Sequence, residues 1–157
     1  MSHPNADRVA EAARALGLDV DVREFPDGTR TAEDAAAAIG VRVGQIVKSL
    51  VFAVDHEVVL AMVSGPNRLD GAKLAAAAGG VEVDRVGADQ VRAATGYPIG
   101  GVPPLGHANA LRTFFDRDLL DFDVVWAAAG TPRHVFSVDP RRLVEVTDAH
   151  VADLADR

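Results

Sequence analysis

The chain predicts an α+β fold: one domain in which a mixed, curled sheet is covered on the outside by helices. Three observations carry this. Helical and strand periodicities are interspersed without the regular alternation of a βαβ series. Two strand pairs are joined by short turns, at 55–56 and 130–132. The 157 residues contain no linker, repeat or low-complexity segment, so the whole of 1–157 reads as one domain with enough length for a core.

The elements follow in order. Residues 5–17 form an amphipathic helix, with Asn5 as cap, Val9, Ala12, Ala13 and Leu16 at helical spacing, and Gly17 as stop. A short strand spans 19–25, and Pro26-Asp27-Gly28 turns the chain. Thr31 with Asp34 resembles a capping box opening a second helix, which Gly40 ends. Residues 46–54 and 57–63 form a hairpin whose strands are apolar at nearly every position, so both faces are covered. Asp70 caps a third helix that stops at Gly79-Gly80, and 81–83 is a short strand. A fourth helix covers 88–95, a strand 110–115 and a helical turn 116–120. A second hairpin joins 124–129 to 133–138. Asp139-Pro140 starts a last helix, 144–146 reads as a final strand, and 147–157 as helical or frayed.

Composition excludes several chemistries. The chain has no cysteine, so disulfides, thiolate metal sites and cysteine nucleophiles are ruled out. The same absence fits a cytoplasmic protein. Charged residues within 1–20 argue against a signal peptide, and no apolar run nears the roughly 20 residues of a membrane span. A net charge of −7 argues against a broad nucleic-acid-coating face, though not against contact with the end of an RNA. There is no nucleophile elbow, phosphate-binding loop or dinucleotide fingerprint. The five histidines are scattered, so no metal site and no cofactor is expected.

Two features remain. Residues 96–107 hold four of the 14 glycines and three of the 8 prolines. That density rules out a helix or central strand and predicts a stiff loop with accessible N–H groups, a cradle for an ester carbonyl or phosphate. The second is Lys48, one of only two lysines. With a period of two it shares a strand face with Ile46, Leu50 and Phe52. A cation there either snorkels, joins a structural ion pair, or stands at the mouth of a pocket where a carbonyl oxygen or phosphate meets it.

Four segments together resemble the YbaK/EbsC family of freestanding aminoacyl-tRNA deacylases, relatives of the editing insertion of bacterial prolyl-tRNA synthetases. They are the helix from Thr31, the strand Gln45-Ile-Val-Lys48-Ser-Leu-Val-Phe, the Gly96–His107 loop, and Val125-Trp-Ala-Ala-Ala-Gly-Thr-Pro132. The resemblance spans roughly residues 5–147 and implies a barrel-like mixed sheet. It also implies hydrolysis of the ester joining a wrong, small amino acid such as alanine or cysteine to tRNA, above all tRNA for proline. No metal and no protein nucleophile would take part. The family's strand lysine falls on Lys48 and its loop on Gly101, Val102, Pro103 and Pro104, preceded by Gly100. Its late glycine falls on Gly130, beside Thr131. On this reading Lys48, Gly100 and Gly101 act on the ester, and Val102, Pro103, Pro104, His107, Gly130 and Thr131 surround the substrate. His107 reads first as a loop anchor and second as a proton carrier, and Thr131 as pocket wall or plain turn. Val102-Pro103 replaces the Cys-Ser of some cysteine-editing relatives, so a cysteine preference does not carry over. The implied partners are the acceptor end of a mischarged tRNA and, as in some relatives, a synthetase that supplies further grip. The competing reading is a non-catalytic module binding a small acyl or nucleotide ligand in the same pocket.

Overall fold

A computed structural model describes residues 3–26 and 31–157. Among them are eight strands and five helices. The helices are α1 (Pro4–Ala15), α2 (Ala32–Ile39), α3 (Gly71–Ala78), α4 (Ala88–Thr95) and α5 (Pro140–Thr147). The strands are β1 (Val22–Glu24), β2 (Ile46–Val54), β3 (Glu57–Ser64), β4 (Val83–Arg85), β5 (Arg112–Asp116), β6 (Val125–Ala128), β7 (His134–Val138) and β8 (His150–Ala152).

One mixed sheet runs in the order β1-β7-β6-β2-β3-β5-β8, with β4 joined to β2 outside that path. The β2–β3 hairpin is its centre, closed by Val54 opposite Glu57. Asp55 and His56 take φ of 48° and 73°, the left-handed pair that a tight two-residue hairpin requires. Alternation along β3 divides the interior. Leu60 and Met62 face a cluster with Val9, Ala13, Val91, Tyr97, Val102 and Leu143. Val59, Ala61 and Val63 face another with Leu74, Phe114 and Leu154. The expected α+β architecture, with helices outside a mixed sheet, is the one observed.

Local chemistry explains the element ends. Thr31 Oγ1 accepts the Asp34 N–H at 3.0 Å and starts α2, and Asp70 Oδ1 accepts the Ala72 and Lys73 N–H groups to start α3. Asn5 is not the cap of α1. His3 Nδ1 accepts the Asn5 N–H, while the Asn5 side chain donates to Gly130 O at 3.0 Å. The expected turn at 27–28 lies outside the described residues.

Three boundaries differ from expectation. The strand expected at 81–83 lies at Val83–Arg85, because the Asp55 carboxylate takes the N–H groups of Val81 and Glu82. Residues 144–146 are helical rather than a strand. Asp139 caps α5 through the Arg141 N–H at 2.9 Å, and helical spacing turns Leu143 inward, so packing overrides β-branched propensity. The tail expected to be helical or frayed instead supplies β8, parallel to β5. It is held there by Lys73 and Arg157 on Asp153 and by Leu154, which is fully buried.

Candidate active site

The second edge of β2 is shared between two strands. Ile46 and Val47 pair with Trp126 and Ala127 of β6. Phe52, Ala53 and Val54 pair with Arg85, Asp84 and Val83 of β4. Among the described residues, no strand pairs with the Lys48–Val51 stretch on that edge. β6 and β4 diverge there, and a cleft of about 1070 Å³ opens at the gap. Its walls include the 46–52 stretch of β2, Glu33 of α2, Asn67 and Arg68 after β3, Arg85 of β4, and Ile99, Gly100 and Val102 of the Gly/Pro loop. The gap explains how both faces of the sheet contribute. Val47, Val51 and Val102 belong to one core cluster, whereas Leu50 and Phe52 pack into the other.

Lys48 is half-buried on the wall of this cleft. Its Nζ donates to the Asn67 main-chain oxygen at 2.5 Å and, among the described residues, has no carboxylate in ion-pair contact. That carbonyl is held in place. The Asn67 N–H donates to Ser64 O at 2.9 Å, and its Nδ2 donates to Asp116 and Asp118, both at 2.8 Å. Burial pushes the Lys48 ammonium below the usual lysine range, and the fields of Glu33 and Asp116 partly oppose this.

The Gly/Pro loop begins with a tight turn in which the Gly101 N–H donates to Pro98 O at 3.0 Å. Gly100 takes φ +87° at the third position, as a type II turn demands. This corrects one expectation: the Gly101 N–H is occupied inside the turn and is not free for an ester carbonyl. Among the described residues no hydrogen bond occupies the Gly100 N–H, and Gly100 lines the cleft. Gly101 has a packing role instead. A Cβ there would lie 2.8 Å from Thr131 Cα and 2.9 Å from the Gly130 carbonyl carbon.

The remaining sequence candidates do not themselves line the cleft. Gly101, Pro103, Pro104, His107, Gly130 and Thr131 are not among its walls. Pro103 and Pro104 are buried. His107 Nε2 bonds Pro103 O at 2.7 Å, and burial holds its ring below the ordinary histidine range. This is the geometry of an anchor. Thr131 Oγ1 bonds His134 Nδ1 at 2.5 Å and accepts the Arg133 N–H at 3.1 Å, so it ties the β6–β7 turn. The structure thus brings together Lys48, Gly100 and Val102. Sequence reasoning missed Glu33, Asn67, Arg68 and Arg85. Only Asn67 carried a signal, as the last residue of a Ser-Gly-Pro-Asn breaker. Among the described residues no three His, Asp or Glu side chains gather as a metal site, and no helix is long and apolar enough to cross a membrane.

A family model described as "Aminoacyl-tRNA editing domain" matches residues 26–146. A solved structure described as a candidate trans-editing enzyme for prolyl tRNA synthetase is 46% identical over 100% of both chains, with a TM-score of 0.95. The uncharacterized protein YwhH of Bacillus subtilis is 32% identical over 132 residues, 83% of each chain. A proline–tRNA ligase of Desulforamulus reducens is 30% identical over 135 residues, 82% of this chain but only 24% of the ligase. The chain therefore belongs to the aminoacyl-tRNA editing family, the YbaK/EbsC group, and is an aminoacyl-tRNA deacylase.

Proposed function

We propose that the chain deacylates mischarged tRNA in trans, removing a small wrong amino acid such as alanine or cysteine from tRNA for proline, with Lys48 and Gly100 as the groups that act on the ester. The observation that carries this reading is that a half-buried ammonium and a left-handed glycine with an unoccupied N–H share the walls of one cleft.

An aminoacyl ester is already activated, so positioning and charge stabilisation suffice and neither a protein nucleophile nor a metal is required. Water adds to the ester carbonyl carbon. The developing oxyanion accepts from the Gly100 N–H and is offset by the Lys48 ammonium. The bond to the ribose oxygen then breaks, that oxygen takes one of the water's two protons, the other passes to solvent, and the amino acid leaves as its carboxylate. Val102, Ala127 and Ala128 on the cleft wall suit a small apolar side chain. A synthetase working alongside would add tRNA affinity that a chain of net charge −7 lacks.

The test is release of free amino acid from a panel of mischarged tRNAs, with and without prolyl-tRNA synthetase. Fastest turnover on alanyl- or cysteinyl-tRNA for proline is expected. No release from any member, synthetase present, overturns the proposal.

A further inference from the structure

We propose that Arg68 and Arg85 form a phosphate track across the cleft and receive the single-stranded 3′ end of the RNA substrate. The proposal rests on the deacylase reading above and extends it to how an acidic protein holds a polyanion.

Many other arginines are engaged within the fold, among them Arg112 with Glu57, Arg117 with Asp153, Arg141 with Asp123 and Arg157 with Asp118, while Arg14, Arg92 and Arg133, whose side chains have no partner among the described residues, do not line the cleft. Among the described residues, the side chains of Arg68 and Arg85 make no ion pair, hydrogen bond or ring contact, and both are exposed. Both line the cleft that holds Lys48. Their placement follows from the strand register. Arg85 lies opposite Phe52, so it shares the face of Phe52, Leu50 and Lys48. Arg68 directly follows Asn67, whose carbonyl receives the Lys48 ammonium. The four steps from Lys48 to Phe52 span roughly 13 Å of strand. Two arginines without an ion-pair partner among the described residues therefore lie toward opposite ends of that span, Arg68 at the Lys48 end and Arg85 at the Phe52 end. This spacing suits a strand of successive phosphates rather than one isolated anion. Ile99, 60% exposed on the cleft wall, gives an apolar surface beside the track for a base or ribose. Guanidinium forks are the side chains suited to phosphate oxygens.

The experiment compares wild type with Arg68→Ala, Arg85→Ala and the double variant by two measurements. The first is kcat/KM on alanyl-tRNA and on 3′-alanyl-adenosine, which lacks the upstream phosphates. The second is anisotropy of a fluorescent acceptor-stem RNA without an esterified amino acid, titrated from 25 to about 200 mM salt, a range over which phosphate contacts govern affinity. For the double variant we expect a loss at least tenfold greater on alanyl-tRNA than on alanyl-adenosine. The slope of log affinity against log salt should become shallower by about 0.7 per arginine removed. Arg14→Ala, outside the cleft, should leave the slope in place. An unchanged slope in the double variant, an equal loss on both substrates, or no RNA association by either measurement overturns the track. If no tRNA is hydrolysed by wild type but the slope still falls as expected, the deacylase reading fails and the track stands.

Discussion

Replacing Lys48 by methionine separates its charge from its packing. Methionine keeps an unbranched stem against Leu50 and Phe52 and removes the ammonium. Two stability terms oppose each other. The hydrogen bond to Asn67 O is lost, at a net cost of about 1 kcal/mol. The penalty of holding a half-buried cation disappears, and cleft water can solvate the freed carbonyl. The two come within about 1 kcal/mol of cancelling, which for a domain of this size is a Tm change within about 3 °C. Activity has no such compensation. Losing the charge that faces the oxyanion should lower kcat by about 10²–10³, or 2.7–4 kcal/mol of transition-state stabilisation. The assay is differential scanning calorimetry paired with single-turnover deacylation of alanyl-tRNA for proline. Undiminished turnover would refute the electrostatic role of Lys48. A Tm collapse would show that the amine is structural. Because the ammonium is the active form and burial lowers its pKa, wild-type activity should fall with rising pH before an exposed lysine would titrate. Lys48→Arg, whose charge does not titrate, should lose that alkaline limb.

Three further outcomes are expected. Gly101→Ala sets a Cβ 2.8–2.9 Å from the main chain of Gly130 and Thr131. It should cost about 1–3 kcal/mol, a Tm drop of roughly 3–9 °C by calorimetry. His107→Gln should leave the shape of the kcat/KM profile between pH 5 and 8 unchanged, because His107 anchors Pro103 outside the cleft; a lost limb would make it a proton carrier. Asp118 and Asp153 have pKa values lowered below those of the unfolded chain, Asp118 chiefly by Arg157, and Asp153 by Lys73 and then Arg157. Their stabilisation is complete above about pH 4 and lost as pH falls through the folded values. Thermal melts from pH 6 to 2 should show Arg157→Ala losing less stability than wild type.

The central hairpin was legible because its signals agree: continuous apolar strands, a two-residue turn and period two along Lys48, Leu50 and Phe52. The Gly/Pro loop was legible by density alone, and Gly100 as a turn glycine follows from it. What sequence could not show is distance. Nothing in the sequence showed that Gly101 packs its backbone against that of Gly130 and Thr131. Arg68 and Arg85 carried no local pattern, because their placement comes from where β3 ends and where β4 joins β2. The C-terminal strand was missed because β8 is a short segment whose pairing with β5 depends on long-range contacts at Asp153 and Leu154.

The cleft and the tolerated lysine share one physical cause. An unpaired amide group inside a closed sheet costs about 1–3 kcal/mol, and an uncompensated buried ammonium costs several. Lys48–Val51 combines a bare strand edge with a half-buried ammonium bonded to the Asn67 carbonyl, and neither is prohibitive because both face the same gap. The gap has defined ends. Pairing of Ile46 and Val47 with β6 fixes one. The other is the end of β4 at Arg85, opposite Phe52, beyond which the chain leaves the sheet and enters α4 at Ala88. The open interval beside the cation, Lys48 to Val51, is therefore the distance along β2 between the point where its parallel partner stops and the point where its antiparallel partner stops.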